Sequence, residues 1–245
     1  MSLDALFLLH SGLAREAPGS DACTFEALRR LGPLPASPRV LDLGCGPGAS
    51  TLALARALQV PVTGMDLHAP YLQQLRTRAE AEGLAELVRT READFGALDD
   101  EPESVDLLWS EGAINHLTWA QGLRRWRPLV APGGALALSE LTWLTHAPPA
   151  EARAFWRRAY PNMGTVDFNC AVAQAFGLRV QDTFVLPPEA WEAYYRPLEA
   201  RMERLERQVH GDAELTGLIA ETRQEVALYR QCGESYGYVF YLLRV

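Results

Sequence analysis

The clearest chemical pattern in the sequence lies between positions 42 and 48, which read Asp-Leu-Gly-Cys-Gly-Pro-Gly. Gly44, Gly46 and Gly48 alternate there, and glycine is needed where a backbone turns with positive φ or closely approaches a ligand. Because Ala49 follows, the string also fits the loose dinucleotide pattern G-x-G-x-x-G/A. Asp66 stands about where a ribose-binding acid belongs. The pattern therefore predicts a bound cofactor that contains a ribose.

Two features bear on which cofactor this is, because the glycine pattern alone does not separate NAD from S-adenosylmethionine. Asp42 places a carboxylate at the end of the first strand, under the loop, where it repels a pyrophosphate but can receive an α-ammonium, directly or through water. The 23 basic residues are all Arg, so the chain has no Tyr-x-x-x-Lys pair of the kind that short-chain NAD enzymes use. Both features favour a cofactor that carries an amino acid.

The absence of Lys from the sequence also removes several enzyme classes. P-loop NTPases, protein kinases and Schiff-base enzymes all require a lysine amine. The net charge of -8, without a basic run, argues against a nucleic-acid partner. No apolar stretch approaches the ~20 residues of a membrane span, and the first residues have no basic region, so we expect a cytoplasmic protein without a membrane partner.

The metal-binding residue types are scattered along the chain. Its five His residues form no close pair, and the sequence therefore predicts no metal site. The cysteines stand far apart and show neither zinc-ligand nor disulfide spacing. We expect free thiols at Cys23, Cys45, Cys170 and Cys232.

The elements that must position these residues follow a regular alternation. From residue 39 onward, apolar strand-like runs alternate with helix-length amphipathic segments, the pattern of parallel βαβ units. Pro132, Gly133 and Gly134 predict a tight turn before the fifth strand. The predicted strands occupy residues 39–43, 60–65, 86–92, 104–110, 135–140, 178–186 and 236–245, and the clearest predicted helices occupy 49–58, about 70–83 and about 121–130.

Three segments do not follow this alternation of strands and helices, and we predict that they form a helical cap. We expect an N-terminal helical cap over 1–38, and a cofactor-binding domain over 39–245 with helical insertions at about 141–164 and 187–233. In the last insertion an apolar seam, formed by Leu198, Met202, Leu205 and Val209, recurs at helical spacing. We interpret it as an intramolecular helix pair rather than a dimer contact, so the chain is expected to be a monomer or a homodimer.

Over nearly its whole length the chain resembles the class I S-adenosylmethionine-dependent methyltransferases. It is most similar to a bacterial subgroup of small-molecule type. Apart from the glycine loop, the stretches that carry this resemblance are Pro18-Gly-Ser20, Trp109-Ser-Glu-Gly-Ala113, Ser139-Glu140 and Tyr236-Gly-Tyr-Val-Phe-Tyr241. The family's fold is α/β: a doubly wound, mostly parallel, seven-stranded Rossmann-like sheet with an antiparallel last strand, here with helical cap insertions. The implied cofactor is S-adenosylmethionine, and the implied partner is a small-molecule methyl acceptor.

The resemblance also implies a role for residues along the strand ends. The loop from Asp42 to Gly48 is implied to wrap the methionine part of the cofactor. Asp66 is implied to accept from both ribose hydroxyls, with Leu67 against one adenine face. Each role fits the residue type, because carboxylates bind diols and apolar side chains cover π-faces.

Further cofactor contacts are implied after the third and fourth strands, where Asp94 accepts from the adenine amino group with Phe95 beside it. Glu111 and Gly112 border the methionine end. The full implied cofactor-binding set is Asp42, Gly44, Cys45, Gly46, Gly48, Asp66, Leu67, Asp94, Phe95, Glu111 and Gly112.

Methyl transfer from a sulfonium is an in-line displacement, so the protein mainly aligns the reacting atoms and excludes water. A base is needed only if the nucleophile carries a proton. The candidate catalytic residues are His116, Glu111 and Tyr160, and the candidate substrate-lining residues are Glu140, Trp143, Trp156 and Tyr195. Two alternatives remain open: a protein that binds the cofactor as a sensor or scaffold without turnover, and an NAD-dependent oxidoreductase.

Overall fold

A computed structural model describes residues 3–209 and 211–245. Met1 and Ser2 of the predicted cap, together with His210, lie outside the described residues. Within these ranges the strands are β1 (Val40–Leu43), β2 (Val62–Asp66), β3 (Val88–Glu92), β4 (Val105–Glu111), β5 (Val130–Trp143), β6 (Arg179–Val185) and β7 (Tyr236–Arg244).

All seven strands form one sheet in the order β3-β2-β1-β4-β5-β7-β6. β1 pairs in parallel with β2 and β4, and β7 runs antiparallel to both β5 and β6. The predicted fold class, including the antiparallel last strand, is thereby confirmed. The chain order reverses beside β1, and in open α/β sheets ligands bind at this switch point, outside the carboxyl ends of the strands.

Helices cover the sheet and form the cap. Several begin at a side-chain cap: Ser20, Thr165 and Asp212 each accept a backbone N–H of the first turn. The helices are α1 (Leu3–His10), α2 (Asp21–Leu31), α3 (Ala49–Leu58), α4 (Ala69–Ala81), α5 (Trp119–Trp126), α6 (Ala150–Ala159), α7 (Val166–Ala175), α8 (Pro188–Gln208) and α9 (Ala213–Cys232).

Strand β5 is longer than the sequence predicts. The turn expected at Pro132 and the two following glycines does not end the strand, because the chain passes through an irregularity in the pairing with β4 and continues from Val130 to Trp143. Gly133 has φ +75°, a conformation that glycine adopts without strain. The strand thus begins before the predicted turn, at Val130. Residues 131–134 still loop out of the pairing with β4, because the register steps from Val130 to Ala135 while β4 advances only from Val105 to Leu107.

The predicted insertions consist of α6 on one side and the pair α8 and α9 on the other. The N-terminal helix α1 packs on both α8 and α9. The predicted seam is buried within the chain, where Leu198, Met202 and Leu205 are at most 2% exposed. Of the helices in the described ranges, none is long and apolar enough to cross a membrane.

Candidate active site

A cavity of about 750 Å³ opens at the carboxyl ends of β1, β2 and β4. Helices α1, α6, α8 and α9 close it from above, so strand ends form the floor and cap helices form the roof. Of the sequence-predicted site residues, those on its surface are Gly44, Cys45, Gly46, Asp66, Leu67, Asp94, Phe95, Glu111, Gly112, His116, Trp156 and Tyr160.

The glycine loop forms one wall of this cavity. Gly44 and Gly46 have φ of +66° and +53°, so both need glycine. A Cβ at Gly44 would lie 2.4 Å from the Cβ of Ala113, and a Cβ at Gly46 would lie 3.1 Å from the Cγ of Glu16. The loop therefore presents bare backbone to the cavity, as close approach of a ligand requires.

Gly48 serves packing rather than the cavity surface. Its φ is +86°, and a Cβ there would lie 2.1 Å from the Cδ1 of Leu75. This contact brings the start of α3 against α4, since Leu75 lies in α4. Gly48 thus allows the loop to pack closely on the side chain of Leu75, which fixes the position of the loop.

Asp42 lies beneath the loop and is fully buried. Its Oδ2 accepts the hydroxyls of Ser50 at 2.7 Å and Thr51 at 2.6 Å, whereas its Oδ1 has no partner in the described residues. Burial raises the pKa of Asp42 to about 7, and the two hydroxyls oppose that rise. The carboxylate supports the loop from below, one layer under the cavity surface.

Asp66 ends β2 and faces the cavity beside the loop. Its Oδ2 accepts from the backbone N–H of Gly46 and its Oδ1 from that of His68, both at 2.9 Å. A carboxylate has about four lone-pair sites, so lone pairs remain for a pair of hydroxyls. Leu67, next to it, is 44% exposed and lines the same wall. The arrangement suits a ribose with an adjoining flat ring.

Asp94 and Phe95 follow β3 at the next strand end. Asp94 is exposed and its Oδ1 accepts from the Gly96 N–H at 2.7 Å. Phe95 is 7% exposed and packs edge to face on Trp126, whose Nε1 donates to the Phe95 carbonyl at 2.9 Å. His116 lies across from it, with ring centroids 6.4 Å apart. These residues can enclose a planar base.

His116 remains accessible at the cavity but is flanked by protein. Desolvation lowers the pKa of its imidazole, and the charge of Asp66 acts in the opposite direction. The ring is therefore neutral at pH 7, the form that accepts a proton.

Glu111 is held by three donors at the end of β4. Its Oε2 accepts from Arg15 at 2.8 Å, and its Oε1 accepts from Thr24 at 2.7 Å and from the Trp109 indole at 2.9 Å. Arg15 also donates to Asp21 at 3.1 Å. The pair anchors the N-terminal segment on the sheet. Sequence reasoning did not identify Arg15, which is 96 residues away from Glu111 and belongs to no motif.

The N-terminal segment supplies further cavity residues that sequence reasoning missed. Glu16 accepts the Tyr71 hydroxyl at 2.7 Å on Oε2, and its Oε1 is buried without a partner among the described residues. Burial raises the pKa of Glu16 to about 8; the Tyr71 hydrogen bond lowers it and Asp66 raises it further. Phe7 of α1 stacks on His68 with centroids 3.7 Å apart. The cap therefore closes directly over the glycine loop.

Tyr160 lies on the opposite side, with a buried carboxylate behind it. Its hydroxyl donates to Oε1 of Glu140 at 2.5 Å, and Glu140 is 1% exposed. Burial raises the pKa of Glu140 to about 8, opposed by the Tyr160 hydrogen bond. Burial and the neighbouring carboxylate also raise the pKa of Tyr160. Glu140 thus contacts the cavity through Tyr160 and not at its surface.

The remaining predicted lining residues do not reach the cavity: Trp143 is partly buried against the core, and Tyr195 lies within it. Trp143 packs edge to face on Tyr236 with centroids 6.0 Å apart. Tyr195 is fully buried and packs against Tyr229, while its neighbour Tyr194 lines the cavity. Adjacent residues of a helix point about 100° apart, and here Tyr194 faces the cavity while Tyr195 points into the packed interior of the cap.

Helix α9 contributes Glu225, which sequence reasoning also missed. Its Oε1 accepts the Tyr195 hydroxyl at 2.9 Å, and the residue lines the cavity near Trp191 and Tyr194. Burial raises the pKa of Glu225 to about 7; Tyr195 lowers it and Glu221 raises it. No sequence signal singled out Glu225, because α9 also carries Glu214, Glu221, Arg223 and Arg230.

Across the described chain, no cluster of His, Cys, Asp and Glu is arranged to hold a metal ion. The four cysteines are free thiols. The cavity therefore offers carboxylates, aromatic rings and backbone donors to whatever binds there.

The match to known families centres on the glycine-loop half of the sheet. Residues 40–134 match the sequence profile of a family described as a methyltransferase domain. The trans-aconitate 2-methyltransferase of Paracidovorax citrulli (strain AAC00-1) is 42% identical over 119 residues, which are 46% of this chain and 42% of that protein. The chain spans less than half the length of the curated relatives it matches.

Two solved structures match nearly the whole chain. An S-adenosylmethionine-dependent methyltransferase from Thiobacillus denitrificans, in complex with S-adenosyl-L-homocysteine, is 25% identical with a TM-score of 0.79, covering 99% of this chain and 98% of that one. Its counterpart from Geobacter sulfurreducens, also in complex with S-adenosyl-L-homocysteine, is 22% identical with a TM-score of 0.82 and the same coverage, a likeness of fold.

Proposed function

We propose that this chain, whose residues 40–134 match the sequence profile of a methyltransferase domain, is a class I S-adenosylmethionine-dependent methyltransferase that methylates a small molecule. The observation that carries the proposal is the joint geometry of the glycine loop and Asp66. The Gly46 backbone N–H donates a hydrogen bond to the Asp66 carboxylate, and both residues line the same cavity.

The residues present fit this cofactor. Asp66 retains lone pairs for two ribose hydroxyls. A Cβ at Gly44 would clash with Ala113 and one at Gly46 would crowd Glu16, so glycine keeps the loop backbone in place beside the cavity. Leu67 and Phe95 supply apolar surface for the adenine. Asp42 lies too deep to line the cavity, and we assign it the support of the loop through Ser50 and Thr51.

S-adenosylmethionine supplies a methyl group that its sulfonium already activates. The chain then has to bind the acceptor in line with that methyl and exclude water. Helices α1, α6, α8 and α9 close the cavity, which supports this role. We propose that neutral His116 receives the proton when the acceptor carries one. Above about pH 8, where Glu140 is ionised, Tyr160 can also receive it while passing its own hydroxyl proton to the Glu140 carboxylate.

Glu111 fits an anchoring role better than that of a base. Each of its oxygens already accepts from a donor of the N-terminal segment or of β4. We propose that the Arg15 and Glu111 pair holds the cap closed beside Gly112, where a Cβ would lie 2.4 Å from the Cβ of Ala17.

We also propose a cytoplasmic location and a monomeric or homodimeric state. Four free thiols fit a reducing compartment, where thiols persist. The apolar seam of α8 is buried inside the chain, which removes the clearest candidate for a dimer contact.

Transfer of a labelled methyl group tests the proposal. The protein is incubated with methyl-labelled S-adenosylmethionine and the small-molecule fraction of a bacterial extract, and the products are separated by mass spectrometry. We expect label in a small molecule only when the protein is present. Binding of the cofactor without label in any product, across extracts and pH, would instead indicate a sensor or scaffold.

A further inference from the structure

One half of the cavity is enclosed by cap helices and not by the cofactor-binding strand ends. We name it the acceptor chamber and define it by Trp156, Tyr160, Trp191, Tyr194, Glu225 and Tyr238. Five of these six residues are aromatic and offer apolar area and electron-rich ring faces; Leu141, Ala159, Leu218, Glu221 and Thr222 also line the cavity. The charged group among these six residues is the Glu225 carboxylate.

The charges around the whole cavity are strongly unbalanced. Its described lining includes six carboxyl groups, Glu16, Asp66, Asp94, Glu111, Glu221 and Glu225, against a single guanidinium, that of Arg15. Burial raises the pKa of Glu16 to about 8, so that group is mostly protonated at pH 7, and Glu221 lies 3.9 Å from the Nε of Arg158. Arg15 is already paired with Glu111 and Asp21. Because the sequence contains no Lys, the described lining has no free strong cation for an anionic acceptor.

The histidines of the cavity do not correct this imbalance. Burial lowers the pKa of His10, opposed by its hydrogen bond to the Leu6 carbonyl, and its Nε2 lies 2.9 Å from the Tyr194 hydroxyl. Desolvation also lowers the pKa of His116. Both rings are neutral at pH 7, so an acceptor rich in carboxylates, such as trans-aconitate, would meet repulsion here.

Glu225 is the group in the chamber that lacks a counter-ion. Its hydrogen-bond partner is the Tyr195 hydroxyl, and within the described residues no Arg or His lies at ion-pair distance from it. A carboxylate among aromatic rings is costly unless a cation pairs with it. A ligand that brings its own positive charge supplies that partner, and the ring faces add cation-π attraction.

We propose that Glu225 binds the methyl acceptor, and that the acceptor is an amine that enters as a cation on an apolar body. An ammonium has no lone pair, so the bound amine must give its proton to a base of the cavity, the Glu225 carboxylate or neutral His116, before its nitrogen takes the methyl group. The assignment rests on the proposed methyltransferase function, because it locates the acceptor in the same cavity as the cofactor. The proposal specifies two properties of the acceptor. Its positive charge pairs with Glu225, and its apolar body packs on the aromatic side chains of the acceptor chamber.

Three probes of similar size and different charge test the proposal. Phenethylamine, 2-phenylethanol and phenylacetate are titrated by calorimetry at pH 8 into protein saturated with S-adenosylhomocysteine. We expect the amine to bind about tenfold or more tightly than the alcohol, and phenylacetate to bind most weakly. Phenylacetate binding as tightly as the amine would overturn the proposal, as would an amine that fails to bind at about 10 mM.

Two variants assign the effect to Glu225. Glu225→Gln should weaken phenethylamine binding about tenfold while leaving the affinities for 2-phenylethanol and S-adenosylhomocysteine unchanged. Glu203→Gln makes the same charge change on an exposed face of α8 and should alter none of the three. Equal amine affinity in the Glu225 variant and the wild type would refute the anchor. A wild-type protein that does not bind S-adenosylhomocysteine would instead refute the proposed function.

Discussion

The substitution Glu140→Gln gives a stability prediction whose size can be derived from the structure. Glu140 is 1% exposed, and burial moves its pKa from the usual 4.5 to about 8. A carboxyl group whose folded pKa is raised stabilises the fold fully below pH 4.5, and that contribution is lost as the pH rises through about 8. At about 1.36 kcal/mol per pH unit, the loss is up to about 5 kcal/mol above pH 8.

Gln has nearly the same shape and cannot ionise. Its amide oxygen still accepts the Tyr160 hydroxyl, so the neutral hydrogen bond is kept. The amide N–H groups of Gln take the place of Oε2, which is buried without a partner among the described residues, so we expect Glu140→Gln to be about 1–3 kcal/mol less stable than the wild type at pH 5. Because the wild type then loses up to about 5 kcal/mol, we expect the variant to be the more stable protein at pH 9. Other carboxyls with raised pKa values, such as Glu16 and Glu225, give both proteins the same background slope.

Urea unfolding followed by circular dichroism, at pH values from 5 to 9, measures this difference directly. Glu203→Gln serves as the control, because Glu203 is exposed and its loss should leave the pH profile unchanged. A Glu140→Gln variant that differs from the wild type by the same amount at both ends of the range would refute the buried-charge account. So would a variant that is less stable at pH 9.

Two further substitutions test the loop and the cap. Gly48→Ala should lower the free energy of unfolding in urea by about 1–3 kcal/mol more than Gly12→Ala does. Both glycines have φ above +80°, so the backbone strain is similar. A Cβ at Gly48 would clash with Leu75, whereas a Cβ at Gly12 would point into open space. Equal losses would contradict that packing role. Phe7→Ala removes the stack on His68 and should weaken S-adenosylhomocysteine binding several-fold, whereas Leu8→Ala, on the exposed side of α1, should not. Unchanged affinity in the Phe7 variant would show that the cap does not cover the cofactor.

The cofactor half of the site was readable from the sequence because its signals are local. The glycine loop, the helix from Ala49 to Leu58 and the strand-terminal Asp66 lie within one βαβ unit, where spacing fixes geometry. The strand β5 was only partly predicted, since Pro132 and its glycines are turn residues by local preference. These residues loop out between the two paired positions Val130 and Ala135, so the strand begins at Val130, before the turn residues.

The acceptor half was harder to predict because it is built from distant residues. Arg15 meets Glu111, and Glu225 meets Tyr195, across long loops and separate helices. The sequence prediction placed Tyr195 at the cavity, whereas Tyr194 lines it. Which of two neighbouring residues faces the cavity depends on how α8 is rotated about its axis, and the packing of α8 against other elements sets that rotation.

Calorimetric titration with S-adenosylhomocysteine and with NAD tests the central claim most directly. We expect S-adenosylhomocysteine to bind at about micromolar Kd. That binding should be lost in Asp66→Ala and kept in Glu92→Ala. Glu92 is an exposed acidic residue of β3 and lies opposite Asp66 in the pairing of β2 with β3. Tight NAD binding with no binding of S-adenosylhomocysteine would contradict the account.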